Sequence, residues 1–203
     1  MDQAKALKAL HSQVRACTQC LLHTGRTQAV PGDGPADALI MFIGEAPGFY
    51  EDQQGIPFVG AAGRFLDELL EGAGIDRKRV FITNVVKCRP PGNRDPQPEE
   101  VEACKDYLDQ QIEIISPQVI VTLGRHSMAR AFPDEKISLV HGQPRRVGDR
   151  VYFPMYHPAA ALHQPSLRAT VEADFALLKD LLDGNLEPGE YTPPPEAEQL
   201  SLF

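Results

Sequence analysis

The chain has 203 residues, 42% of them hydrophobic, and a net charge of −8 from 28 acidic and 20 basic residues. That length suits one domain with a sizeable core plus a short appendage, and no apolar run is long enough to span a bilayer. The acidic balance argues against a protein that binds nucleic acid over its whole surface, but it leaves room for a basic groove on an acidic body.

Asp2 to Ala16 reads as a helix, with Leu7, Leu10 and Val14 on one face. Its start, Met1-Asp2-Gln3-Ala4-Lys5, lacks the basic-then-apolar pattern of a secretion signal, so an intracellular location is expected. Cys17-Thr18-Gln19-Cys20 interrupts the helix, and the Gly- and Pro-rich stretch from Thr24 to Pro35 reads as loop. Ala38 to Ile43 is an apolar run that suits a strand buried on both faces. It runs into Gly44-Glu45-Ala46-Pro47-Gly48-Phe49-Tyr50-Glu51-Asp52, a turn loaded with carboxylates, in which glycines let backbone approach a ligand. Gln53 to Ala62 is expected to be a second loop, and Gly60 to Glu71 a helix with Phe65, Leu66, Leu69 and Leu70 on one face.

Arg79 to Val86 is the second strand, succeeded by a polar loop from Lys87 to Pro98. Pro98-Glu99-Glu100 opens a helix with acids in its first turn, as the helix dipole favours. Val119 to Leu123 is a third buried strand ending at Gly124-Arg125-His126, and Arg145 to Val151 reads as a hairpin. Tyr152 to Tyr156 is the last strand, His157 to Leu162 comes directly after it, and Thr170 to Leu182 is a closing amphipathic helix. The alternation predicts an α/β fold with a parallel-rich sheet covered on both faces, and the chain carries no internal repeat. From about Asp183 the composition shifts to Pro, Gly and Glu, which suits an extended tether. Residues 1–182 are therefore expected to form the domain and 183–203 a tail.

Four cysteines are present: Cys17, Cys20, Cys88 and Cys104. A C-x-x-C pair offers two sulfurs to one centre, and Cys88 and Cys104 flank a single loop. In a reducing compartment the set points to metal, either zinc or an iron–sulfur cluster, which spacing does not separate. The loops after strands carry the other distinctive residues. In a doubly wound sheet they converge on one edge, bringing together a carboxylate, the Phe58 ring, Asn84 and His157. An amide can read a base edge, a ring can stack on it, and an imidazole can stabilise charge on a leaving group.

These residues carry a family resemblance. Gly44-Glu45-Ala46-Pro47-Gly48 with Glu51-Asp52, Gly55-Ile56-Pro57-Phe58-Val59-Gly60, Thr83-Asn84-Val85-Val86-Lys87-Cys88-Arg89-Pro90, His157-Pro158-Ala159 and the four cysteines closely resemble the bacterial members of the family 4 (iron–sulfur) uracil-DNA glycosylases, over about Leu7 to Leu182. The resemblance implies a three-layer α/β/α fold with a central four-stranded parallel sheet. It also implies a [4Fe–4S] cluster on Cys17, Cys20, Cys88 and Cys104. The implied activity is monofunctional base excision repair: uracil is flipped out of single- or double-stranded DNA, its N-glycosidic bond is hydrolysed, and an abasic site remains.

By the same resemblance, Gly44, Glu45, Glu51, Phe58, Asn84 and His157 contact uracil. Phe58 stacks on the ring, Asn84 reads N3–H and O4, Glu51 lies near C5, and His157 meets O2. Glu45, Asn84 and His157 are the catalytic set. The family's best-known relatives place a water-positioning Asp where this chain has Ala46, so Glu45 beside it is the candidate to hold the water. Lys87, Arg89, Arg125 and His126 are expected at phosphates, and Leu162 is the expected wedge. The short stretch from Gln53 to Pro57 lacks the basic, His-ending insertion of a sister group that traps the sugar covalently, so turnover is expected.

The terminal Gln199-Leu200-Ser201-Leu202-Phe203 resembles the pentapeptide with which bacterial proteins bind the replication sliding clamp, with Gln199, Leu200, Leu202 and Phe203 as the contacts. A monomer in the cytoplasm, associated with the nucleoid, is expected. The competing readings are a non-catalytic binder of uracil-containing or abasic DNA tethered to the clamp, and a structural zinc protein.

Overall fold

The protein's computed structural model describes residues 2–191. In chain order the elements are α1 (Gln3–Ala16), α2 (Leu22–Gly25), β1 (Ile40–Gly44), α3 (Phe49–Gln54), α4 (Ala61–Gly72), β2 (Val80–Asn84), α5 (Pro98–Ile115), β3 (Val119–Leu123), α6 (Arg125–Met128), α7 (Ile137–Val140), β4 (Arg145–Val147), β5 (Arg150–Met155), α8 (Pro158–His163), α9 (Arg168–Leu182) and β6 (Gly189–Glu190). No helix among the described residues is long and apolar enough to cross a membrane.

Strand periodicity produces the layers. Successive side chains of β1 go to opposite faces. Met41 and Ile43 join Phe81 and Ile120 under α1 and α5, while Phe42 joins Ile82, Val121 and Phe153 under α4 and α9. The sheet runs β2-β1-β3-β5-β4-β6. Its first four strands are mutually parallel, which is the expected α/β/α core. The Arg145–Val147 hairpin adds β4 antiparallel to β5, and β6 pairs with β4, widening the sheet at one edge.

The α5 start shows how local chemistry sets a boundary. Pro98 supplies the preset φ of the first turn, and Glu100 accepts from the Gln97 N–H at 2.8 Å as a capping box. Arg94 then grips the Glu100 carboxylate through both terminal nitrogens, at 2.8 and 2.7 Å.

Several boundaries differ from the sequence reading. Residues expected to be loop after Asp52 continue α3 to Gln54, where Gly55 at φ 69° closes the helix by donating to Glu51 C=O. The second strand stops at Asn84: the Val85 N–H makes the last ladder bond, to Gly44 C=O at 3.0 Å, and the Val86 N–H goes to Glu45 C=O at 3.1 Å. Part of the expected tether is ordered. Gly189–Glu190 pairs with β4, and the Tyr191 ring stands edge-on to Phe132 at 4.7 Å. An aromatic anchor thus overrides the loop-like composition, and any tether starts further on. Gln199, Leu200, Leu202 and Phe203 lie outside the described residues.

Candidate functional site

Four parallel strands end together, and the segments leaving their carboxyl ends build one pocket. In the β1–β2 register Gly44 lies opposite Asn84. Gly124, just past β3, donates to the carbonyl of Met155, the last residue of β5, at 2.8 Å, and His157 lies two residues further on. The cavity is about 530 Å³ and is lined by Glu45, Gly48, Glu51, Phe58, Asn84 and His157 among others, a size typical of small-molecule pockets.

Asn84 is buried, with its Oδ1 unpartnered. A Cβ at position 44 would lie 2.4 Å from that oxygen and 2.8 Å from the Phe58 ring, so only glycine leaves the amide its seat. A buried carbonyl without a donor costs about 1–3 kcal/mol, which a ligand N–H would relieve. Beneath it, the Lys87 ammonium donates at 2.7 Å to Thr83 Oγ1, to Asn84 C=O and to Gln111 Oε1. Lys87 is 1% exposed, so it faces no phosphate and instead fixes the pocket floor. Its position at the start of a polar loop suggests a solvent-facing cation, but the four-carbon stem turns back under β2. Burial pulls this amine down to about 7, partly opposed by the Cys104 thiol.

Phe58 sits at φ 53°, a conformation uncommon for a bulky residue. Its supports over-determine it. Arg77 Nη2 donates to Pro57 and Phe58 carbonyls at 3.0 and 3.1 Å. Gly63 of α4 approaches so closely that a Cβ would lie 1.9 Å from Phe58 C=O. Glu51 Oε1 accepts from Val59 and Gly60 N–H groups at 3.0 and 2.8 Å, so this carboxylate holds the Phe58 loop as well as lining the pocket. Asp52 is buried and accepts from Thr27 N–H, which ties the preceding loop to α3.

His157 caps α8: its Nδ1 accepts the Ala159 N–H at 3.1 Å. That fixes the neutral tautomer with the proton on Nε2. Burial holds the imidazole down at about 4, a nearby Glu51 charge pulling the other way. Its ring lies over Phe58, with centroids 5.4 Å apart and planes 26° apart. Glu45 is raised above the ordinary carboxylate range, first by burial, with His126 opposing. His126 Nε2 lies 3.7 Å from Glu45 and 3.4 Å from Asp95, and Arg125 pairs with Asp95.

Several arginines are neutralised within the chain. Arg94 pairs with Glu100, Arg130 with Asp109, and Arg145 with Glu135. Arg89 differs, since its Nε donates to the neutral Asn93 amide oxygen at 2.6 Å. Leu162 on α8 is 43% exposed.

Cys17 and Cys20 flank the same cluster of side chains that buries Cys88 and Cys104. Arg26 Nη1 donates to Cys88 Sγ at 3.0 Å, and the Lys87 N–H to Cys104 Sγ at 3.4 Å. Four free thiols gathered at one cluster are a donor set that zinc or an iron–sulfur centre can use. Arg26, Gln111 and Arg77 escape a reading of the sequence because each acts across long separations with no local motif.

A doubly wound α/β protein with a pocket at its strand ends is what the fold and site define. The model of the Uracil DNA glycosylase superfamily matches residues 31–181. The chain is 47% identical over 92% of its length to a Type-4 uracil-DNA glycosylase of Sulfurisphaera tokodaii, covering 88% of that protein. It is also 47% identical to one from Archaeoglobus fulgidus, over 87% of this chain and 94% of the relative. A Thermotoga maritima relative of the same name is 44% identical over 87% of this chain and 94% of its own length. The chain belongs to the uracil DNA glycosylase superfamily.

His157 and His11 set a pH signature. Both are held at about 4 when folded, each first by burial, against 6.5 when free. As pH falls from 6.5 the unfolded chain takes up these protons first, so this contribution to stability declines until about pH 4 and then levels. Urea midpoints taken across that window should fall with pH, and His11→Leu should flatten part of the slope. An unchanged slope in that variant would contradict the burial assignment.

Proposed function

We propose that this chain is a uracil-DNA glycosylase that takes deoxyuridine out of the base stack and hydrolyses its C1′–N1 bond, yielding uracil and an abasic site. The observation that carries the reading is the orphaned Asn84 oxygen facing a stacked Phe58–His157 pair. Uracil offers N3–H to Asn84 Oδ1 and O4 to its NH₂, whereas cytosine presents the reverse polarity at both atoms. Phe58 stacks on the ring, and Glu51 bounds its C5 side. Gly44 and Gly48 leave the space between.

As the C1′–N1 bond breaks, its electron pair leaves with uracil and negative charge gathers on O2. His157 Nε2–H, already neutral and fixed, donates there without a prior proton transfer. The sugar, now electron-poor, takes a water oxygen at C1′; the water's extra proton passes to solvent and the uracil anion takes one up, so neutral uracil and the abasic hemiacetal result. Glu45 is assigned to hold that water. Arg89 meets a phosphate, Arg125 and His126 do so on release from Asp95, and Leu162 enters the gap left by the base.

Cys17, Cys20, Cys88 and Cys104 would hold a [4Fe–4S] cluster, which supplies a structural tie between the N-terminal segment and the loop after β2. The N–H···S donors from Arg26 and Lys87 support it. The enzyme acts as a cytoplasmic, nucleoid-associated monomer. The terminal pentapeptide docks on the sliding clamp and raises the enzyme's local concentration at new DNA. A non-catalytic binder is the weaker reading, since a pocket with a fixed neutral donor at O2 is suited to a leaving group.

Single-turnover assays on a uracil oligonucleotide should release free uracil. Asn84→Ala and His157→Ala should each slow release by about 10²–10³-fold; binding without release by the wild-type chain would favour the non-catalytic reading. Anaerobically purified protein should be brown, with about four irons per chain; zinc in place of iron would remove the cluster. On immobilised clamp, a chain ending at Glu198 should wash off where the full chain stays, and equal retention would remove the docking role.

A further inference from the structure

Two large aromatic rings stand in water at the lip of the pocket. Phe49 and Tyr50, on the first turn of α3, are 50% and 59% exposed, and both line the cavity that the excision reading gives to uracil. They meet edge-to-face, centroids 5.4 Å apart at 83°. Tyr50 lies over Gly60, where a Cβ would come within 3.5 Å of its ring. The Arg89 guanidinium sits 5.1 Å from the Phe49 centroid, anchored through Nε by Asn93. The face is thus apolar, with a cation whose partner is a neutral amide.

We propose that Phe49 and Tyr50 form a stacking platform for the nucleobase adjacent to the extruded uracil in the same strand, with Arg89 taking the phosphate between the two nucleotides. This rests on the excision reading. The platform is continuous with the pocket, so whatever is covalently next to the bound uracil emerges over it. Every base has a π face, and a flanking base that loses one stacking neighbour when uracil leaves regains it on a ring. The positive edge at Arg89 matches the phosphodiester that must cross the lip. An opposite-strand base has no such covalent reason to be there. This platform sets how tightly the strand is held, apart from the chemistry at C1′.

The test uses the full chain and single strands, which removes the opposite strand. One strand carries uracil between normal bases; two others replace the 5′ or the 3′ neighbour with a tetrahydrofuran abasic residue. The Phe49→Ala/Tyr50→Ala double variant should raise the half-saturating concentration on the intact strand about tenfold, a loss in the range of one stacked base, with the plateau rate of uracil release within about twofold of wild type. Removing one flanking base should cost the wild type a similar factor, and should cost the variant nothing further. Phe49→Leu/Tyr50→Leu, which keeps apolar bulk on α3, should lie between.

Losses that multiply, or a wild type indifferent to both flanking bases, would overturn the platform whether or not a variant folds well. A wild type that releases no uracil from any strand is a different result: it sinks the excision reading and this platform with it.

Discussion

The pocket is built on an ammonium group that never meets bulk water. Removing such a group from solvent costs several kcal/mol unless hydrogen bonds offset it. Lys87 Nζ has three oxygen acceptors, all at 2.7 Å. One is the carbonyl of Asn84, so the residue at the pocket floor is held from below. The other two, Thr83 and Gln111, also donate to Pro31 C=O at 3.0 and 2.6 Å, which brings the loop before β1 into the same network. Through its main chain Lys87 reaches the other way, donating to Cys104 Sγ and accepting from Val30 N–H at 2.7 Å. One residue therefore links the base-reading amide to the cysteine centre. A shift in either must pass through a buried amine whose three oxygen partners are all in place, which leaves little freedom for drift.

Above that floor, the free protein holds three groups in arrangements set before any ligand arrives. Asn84 Oδ1 is buried without a donor. Phe58 occupies a left-handed backbone conformation, which costs on the order of 1–2 kcal/mol. His157 is kept neutral by burial and by the Ala159 N–H at its Nδ1. Each is offset elsewhere in the fold. Gly44 removes a Cβ clash, Gly63 lets α4 close on Phe58, and Glu51 and Arg77 pin the loop on either side of the ring. These groups need no reorganisation when charge develops on a bound base, as electrostatic preorganisation requires.

How much of this is legible in the sequence depends on range. The four parallel strands are visible because runs such as Val119–Leu123 are apolar on both faces, and Glu45, Asn84 and His157 because each lies at or just past a strand end. The cysteine set is visible in its spacing. Lys87 is misplaced by such a reading because a lysine in a polar loop ordinarily faces water, and nothing local reveals that Thr83 and Gln111 wait beneath it. Arg77 and Arg26 act over 19 and 62 residues of separation, beyond any motif. Glu51 reads as a pocket wall alone, since its bonds to Val59 and Gly60 depend on how α3 and α4 pack. The order at Gly189–Tyr191 is hidden because a Pro- and Glu-rich composition describes the average of a segment and misses one tyrosine that finds Phe132.

Charge places the remaining constraint on how the chain can hold DNA. With eight more acids than bases, and with Arg94, Arg125, Arg130 and Arg145 each engaged by a carboxylate, long-range attraction to a polyanion is weak. Phosphate contacts lose value further as salt rises. Binding energy must then come from short-range interactions that salt does not screen. Those available at the strand ends are the stacked Phe58–His157 pair, the Asn84 amide and the exposed rings of Phe49 and Tyr50. Such contacts form only with bases already out of the stack, so they discriminate for an extruded or unpaired nucleotide and against intact duplex. A protein of this charge gains selectivity from the same feature that limits its non-specific grip, and a tethered encounter with DNA would then supply the proximity that electrostatics does not.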